Sequence, residues 1–286
     1  MVASFRCPVC TGPLELMADR SALRCDRRHS FDIARQGYVS LLDGKSGALR
    51  ADTADMVAAR LRVHEAGVLD AVVAATADVV ADLVGPEPSP VLVDLGGGPG
   101  VYLRACLRRL PDARGVVFDL SKYCARAVMR ERPAAVAVVA DVWRSIPMGD
   151  ATATLALSVF APRNATATAR VLTPDGHLVI VSPQADHLHE LIAPMGMLNV
   201  APDKDTRIEA AMEPDFEILG RRSVRSAVVV DAPVIADLVA MGPSAFHHPR
   251  AHIDELAAQW VAQAGGPIEV TCAVTITVCR PRTAGR

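Results

Sequence analysis

Apolar residues recur at two different spacings along this 286-residue chain, and the change from one to the other divides it. From residue 7 to about 42 the runs are short and β-like, cut by turn residues such as Gly12, Pro13 and Gly37. Residues 53–84 instead carry Ala, Val, Leu and Arg at helical spacing. That pattern predicts two helices broken at Gly67, with Asp52 or Thr53 as the first N-cap. A proline-rich stretch at 85–90 stops it. Strand-like and helix-like segments then alternate, with strands expected over 91–95, 115–120, 136–140, 151–159 and 177–182 and helices over 101–110, 122–132 and 163–172. This is the rhythm of βαβ units, and it predicts an α/β fold built on a doubly wound parallel sheet. Residues 216–230, 232–241, 253–264 and 268–279 supply the last strands and helices. The expected organisation is a small module at 1–45, a helical linker at 46–85 and a main domain at 86–286, with a mobile connector over 43–50 across the first boundary.

Composition narrows the class. With 51% hydrophobic residues the chain buries a substantial core, enough for one large domain and a small one. Apolar segments such as 71–84 are interrupted, here by Asp78 and Asp82, so no membrane span is expected, and the amino terminus lacks the apolar run of a leader. A cytoplasmic protein is the expectation. The net charge of −2 argues against a chain coated in basic residues for sequence-blind nucleic-acid binding. The charge is unevenly spread, however. Residues 1–62 hold ten Lys and Arg against seven acids, so the first part of the chain is basic and the remainder acidic.

Seven cysteines are present. Cys106, Cys124, Cys272 and Cys279 are scattered and read as reduced core residues. Cys7 and Cys10 form a C-x2-C knuckle, and Cys25 with His29 a C-x3-H return. Two such pairs within 23 residues predict tetrahedral Cys3His coordination of zinc. All four positions are protein ligands, which leaves no place for an activated water and makes the ion structural.

A second motif, Asp94-x-Gly96-x-Gly98-x-Gly100, follows an apolar strand and opens a helix. Glycines allow close approach of backbone to ligand, and the helix start presents free N–H groups. A dinucleotide loop wants its third glycine at position 101, where this chain has Val101. The pattern instead looks like motif I of class I (Rossmann-like) methyltransferases, in which the loop holds the amino-acid part of S-adenosylmethionine. Asp119 ends the second strand of that domain, where a carboxylate accepts ribose hydroxyls. Asp141 ends the third, where it serves as an adenine contact or merely as a capping acid.

The chain resembles the bacterial 23S ribosomal RNA guanine-N1 methyltransferases, which include the tylosin-resistance enzymes of actinomycetes. The resemblance covers most of the chain. It rests on the four zinc ligands, the run from Phe31 to Leu42, the segment Asp52 to Gly67, motif I, Phe160-Ala161-Pro162, His187 to Leu191, and Met241 to Phe246. It implies methyl transfer from S-adenosylmethionine to N1 of a guanine in the hairpin-35 loop of domain II, resistance to mycinosyl macrolides such as tylosin, and a homodimer. Cofactor contacts then map onto Leu69, Gly98, Pro99 and His187, with departures at Leu69, where relatives can carry an aromatic residue, and at Pro99, where an acid is common. The groups expected near the methyl are Asp141, His187 and Phe160, none of them singled out as the base. Arg6, Arg20, Arg24, Arg27 and Arg28 are expected to grip RNA phosphates.

Two other functions fit parts of the chain. A small-molecule methyltransferase of antibiotic or quinone biosynthesis suits the acidic main domain but has no use for a basic finger, so deleting residues 1–45 would leave its turnover intact. A zinc-dependent RNA-binding protein with a degenerate cofactor fold is distinguished by failure to bind S-adenosylmethionine.

Overall fold

A computed structural model of the chain describes residues 4–42, 50–131, 135–197, 204–246 and 248–282. Most of the connector expected at 43–50 lies outside them.

The amino-terminal module is a three-stranded antiparallel sheet of β1 (Glu15–Leu16), β2 (Ala22–Arg24) and β3 (Ser30–Asp32). The next strand, β4 (Val39–Ser40), joins the large sheet instead. Two helices follow. α1 (Ala54–Glu65) starts where the Thr53 hydroxyl accepts the Met56 amide at 3.3 Å, and α2 (Asp70–Val84) begins after Gly67 reverses the chain with φ +74°. The chain then alternates through β5 (Val91–Leu95), α3 (Val101–Arg109), β6 (Arg114–Asp119), α4 (Lys122–Arg130), β7 (Ala135–Val139), β8 (Ala153–Val159), α5 (Ala165–Val171) and β9 (Leu172–Pro183). After α6 (His189–Met195) and α7 (Lys204–Met212), which sequence periodicity does not reveal, come β10 (Phe216–Val230), α8 (Ala232–Ala240), α9 (Arg250–Gln263) and β11 (Ile268–Pro281).

The eight-stranded sheet has the order β10-β11-β9-β8-β5-β6-β7-β4. It is parallel from β4 through β9, as the βαβ rhythm predicts, but β11 runs antiparallel between β9 and β10. The parallel part of the sheet is the one that the βαβ rhythm covers, and the antiparallel strands come from the later segments, whose direction the sequence pattern left open. A strand-length apolar run does not state which neighbour it pairs with or in which direction. Because β5 and β8 lie centrally with helices on both faces, they read as continuous apolar runs and are almost wholly buried.

The small module does not stand apart. Phe5, Leu14, Leu23 and Leu41 share one apolar cluster with Phe118, Val138 and Met148 of the large sheet's layer, and the Phe5 and Phe118 rings meet edge to face at 6.3 Å. A separate cluster joins α1, α6, α8 and α9 and contains Leu69, Leu188 and Ile235. The carboxyl ends of β5, β6, β7 and β8 place Asp94 to Gly100, Asp119, Asp141 and Phe160 along one edge of the sheet, where ligands bind in open α/β folds.

Candidate metal centre and cofactor site

The two knuckles converge. Cys10 Sγ lies 3.7 Å from Cys25 Sγ, and His29 Nδ1 lies 3.5 Å from Cys7 Sγ and 3.4 Å from Cys25 Sγ. All four ligand atoms fall within 4.8 Å of one another. A tetrahedral zinc with ordinary Zn–S bonds has S···S edges of about 3.8 Å, so the donor set already has the size of the ion. Backbone hydrogen bonds hold each knuckle, Thr11 N–H to Cys7 O at 2.8 Å and Arg28 N–H to Cys25 O at 2.8 Å. Arg20, Arg24, Arg27 and Arg28 are exposed on this module, and none forms an ion pair among the described residues.

The glycine-rich loop is tightly pressed from two sides. A Cβ at Gly96 (φ +70°) would come within 2.8 Å of Ala161 Cβ, so glycine is required for the loop to lie against the Phe160-Ala161-Pro162 turn. A Cβ at Gly98 (φ +56°) would come within 3.2 Å of Arg60 Nη1. The Gly98 amide donates to Asp119 Oδ2 at 2.9 Å and the Ser121 amide to Asp119 Oδ1 at 2.7 Å, so the carboxylate at the end of β6 faces the loop. The Pro99 carbonyl accepts Arg104 Nη1 at 2.6 Å. Asp94 is fully buried, and neither of its oxygens has a hydrogen-bond partner among the described residues. Burial, reinforced by the nearby Asp119 charge, pushes its carboxyl up to about 7. A nearby cationic group would return this acid to the charged form.

Phe160 and His187 come together at the lip of this loop. Their rings stack with centroids 5.6 Å apart and planes at 28°. His187 Nδ1 accepts the Ala273 amide at 3.2 Å, so the neutral ring carries its proton on Nε2. Asp141 lies on another part of the rim. Its Oδ1 accepts the Trp143 amide at 3.1 Å within a turn that no helix follows, and it borders a cavity of about 200 Å³ with Pro8, Leu41, Arg144 and Ser145. That cavity is where the zinc knuckle meets the sheet edge. Asn164 Nδ2 donates to the Trp143 carbonyl at 2.7 Å and ties this rim to the turn after Phe160. Leu69 is buried among Val68, Leu188 and Leu191, close in sequence to His187.

Sequence reasoning missed Arg60 and Trp143. Arg60 stands inside the Asp52-to-Gly67 segment without a motif of its own, and Trp143, 62% exposed beside Asp141, has only its aromatic character as a signal. Arg221 and Arg225 pair with Glu209 and Asp186 and are surface ion pairs of β10.

The chain matches two family profiles, the RlmA amino-terminal zinc ribbon over residues 5–45 and the O-methyltransferase domain over residues 58–161. It is 42% identical to the 23S rRNA (guanine(748)-N(1))-methyltransferase of Streptomyces fradiae, across 98% of both chains. A protein of Micromonospora griseorubida named as a 23S rRNA (guanine-N(1)-)-methyltransferase is 40% identical, again across 98% of both. Among solved structures, a chain from the complex of the Haloferax volcanii Trm112 methyltransferase activator with a methyltransferase superposes with a TM-score of 0.51 at 20% identity, covering 82% of this chain and all of that one. The MccD protein gives the same TM-score at 14% identity over 72% and 96%. The fold is the Rossmann-like one of S-adenosylmethionine-dependent methyltransferases, and the Cys3His set is that of a structural zinc ribbon.

Proposed function

We propose, from the premise that the chain belongs to the 23S rRNA (guanine-N1)-methyltransferase family, that it methylates N1 of a guanine in the hairpin-35 loop of 23S rRNA domain II and so confers resistance to mycinosyl macrolides such as tylosin. One observation carries the reading: the exposed Phe160 ring, stacked on His187, stands where Ala161 presses on Gly96 of the cofactor loop. An unstacked loop base can lie on such a ring, and single-stranded loops are where RNA sequence is read.

S-adenosylmethionine supplies a methyl group made electrophilic by its sulfonium. The chain's part is placement. Leu69, Asp94, Gly96, Gly98, Pro99, Gly100 and Asp119 hold the cofactor, Asp119 facing the ribose. His187 packs against Phe160 at the lip and does not serve as the base while Nδ1 accepts the Ala273 amide. Asp141 retains one oxygen beyond its bond to Trp143 to take the guanine N1 proton, and Phe160 orients the base for in-line transfer. The exposed arginines of the zinc module bind phosphates beside this edge, since a knuckle residue, Pro8, and Asp141 border one cavity.

In this reading the chain works as a zinc-binding RNA module (1–45), a helical linker (46–85) and a catalytic domain (86–286), acts as a homodimer and resides in the cytoplasm. Among the described residues no helix is long and apolar enough to cross a membrane. The test is transfer of labelled methyl to unmethylated large-subunit rRNA, with primer extension to find the stop that N1-methylguanine imposes. A stop in the hairpin-35 loop is expected. No incorporation into rRNA while cofactor binding is intact would overturn the reading.

A further inference from the structure

A cation lies over the glycine-rich loop. Arg60, in the middle of α1, places Nη1 3.2 Å from the position a Cβ would take on Gly98. The same nitrogen pairs with Asp52 Oδ2 at 2.6 Å, and Nη2 donates to the Met241 carbonyl at 2.8 Å. The guanidinium is thus fixed from two sides, by the segment before α1 and by the end of α8.

Around it stand buried polar groups that the protein itself leaves unanswered. Asp94 Oδ1 and Oδ2, the Tyr102 hydroxyl and His64 Nδ1 have no hydrogen-bond partner among the described residues. They form one neighbourhood. The His64 and Tyr102 rings meet edge to face at 5.7 Å, and the Arg60 charge acts on both, while the Asp94 charge acts on Tyr102. A fixed cation and a buried acid on either side of one loop complement the two charges of an α-amino acid. Such orphaned groups are costly unless a ligand meets them.

We propose that Arg60 binds the α-carboxylate of S-adenosylmethionine, with Asp52 as the positioning residue that aims its guanidinium and the Tyr102 hydroxyl as a second donor. This rests on the cofactor reading given above. The cofactor also bears a sulfonium and an ammonium, so an arginine at this loop repels it unless its one anionic group is the part that arrives there. The planar fork of arginine suits a carboxylate. Because Arg60 also holds Met241, the carboxylate links the loop to the α1–α8 cap.

Titration calorimetry on the zinc-loaded full chain, with S-adenosylmethionine and its decarboxylated analogue, tests this. Wild type should bind the analogue about 10- to 100-fold more weakly, the range of a charged hydrogen-bonded contact. Arg60→Gln should weaken S-adenosylmethionine by a similar factor and change the analogue less than about threefold, and Arg60→Lys should recover part of the loss. Melting temperatures and zinc content identify any variant that fails to fold, and Arg60→Lys then carries the comparison. Equal weakening of both ligands in Arg60→Gln, or unchanged S-adenosylmethionine binding, would overturn the assignment. Failure of wild type to bind either ligand would instead bring down the cofactor reading on which it rests.

Discussion

Phe160 and His187 stack with their planes at 28° although one follows β8 and the other follows β9. The pairing has a backbone origin. Phe160 takes φ +51°, a left-handed conformation that costs a bulky residue roughly 1 kcal/mol or more, and its amide donates to Val181 O at 3.0 Å. In this conformation the ring is exposed and lies against His187 instead of in the core, while the next residue, Ala161, meets Gly96 of the loop.

Phe160→Ala should therefore lower turnover on rRNA by about 5- to 100-fold, the scale of one base–aromatic stack. Binding of S-adenosylhomocysteine should change less than about threefold. Single-turnover kinetics beside calorimetry separate the two. Equal losses in both would assign the ring to the cofactor and not to the base.

Chelation of zinc, or Cys25→Ser, should lower the melting temperature of the whole chain and not of a small module alone. Phe5, Leu14 and Leu23 pack in the cluster that contains Phe118 and Met148, so loosening the knuckles opens the layer beneath the sheet. For the same reason deletion of residues 1–45 is not a clean test of a small-molecule substrate, because it bares this core. Scanning calorimetry with and without chelator decides; an unshifted main transition would show the module to be independent.

Asp94 makes stability fall as pH rises. Its folded carboxyl titrates at about 7 and an unfolded one near 3.9, so the folded state holds an extra proton between those values. The cost to the folded chain is nil below pH 4 and grows to a few kcal/mol, at most about 4, once pH passes 7. Asp94→Asn should raise the melting temperature at pH 8 and leave it nearly unchanged at pH 4. Cofactor binding should release a proton near pH 6.5, measured from the dependence of calorimetric heat on buffer ionisation. A buffer-independent heat would count against an Asp94–ammonium pairing.

His64 works in the opposite direction. Burial and the Arg60 and Arg104 charges push it down to about 4, so the folded chain keeps it neutral while the unfolded chain protonates near 6.5. Stability is therefore lost as pH falls from 6.5 toward 4. His64→Gln should flatten that limb of a melting-temperature profile; an unchanged slope would place the acid sensitivity elsewhere.

Asp237 joins the cap that carries Arg60. Only 6% of its side chain is exposed, and it receives Arg62 Nε at 2.7 Å, Arg62 Nη2 at 2.6 Å and Arg250 Nη1 at 2.5 Å. Burial alone would raise its carboxyl, but the two guanidiniums outweigh it and hold it below the usual range. Asp237→Ala should cost about 1–3 kcal/mol by chemical denaturation, moderated because both arginines keep water on one side. It should also weaken cofactor binding through α1. Retained affinity would show that Arg60 is held without the α1–α8 clamp.

Much of this was legible in the residues alone. Knuckle spacing makes a tetrahedral site wherever two C-x2-C-like turns meet, and glycines at 96, 98 and 100 after an apolar strand describe a loop that can approach a ligand. Both are local properties, carried by neighbours in the chain, as are the Thr53 cap and the break at Gly67. The antiparallel β11, the burial of the finger's Phe5 against Phe118, the Phe160–His187 stack and the seat of Arg60 above Gly98 are of another kind. Each joins segments far apart in sequence, and periodicity reports which face of an element is apolar but not which distant face it meets. Only tertiary packing, which must close the core while answering buried charge, decided those pairings.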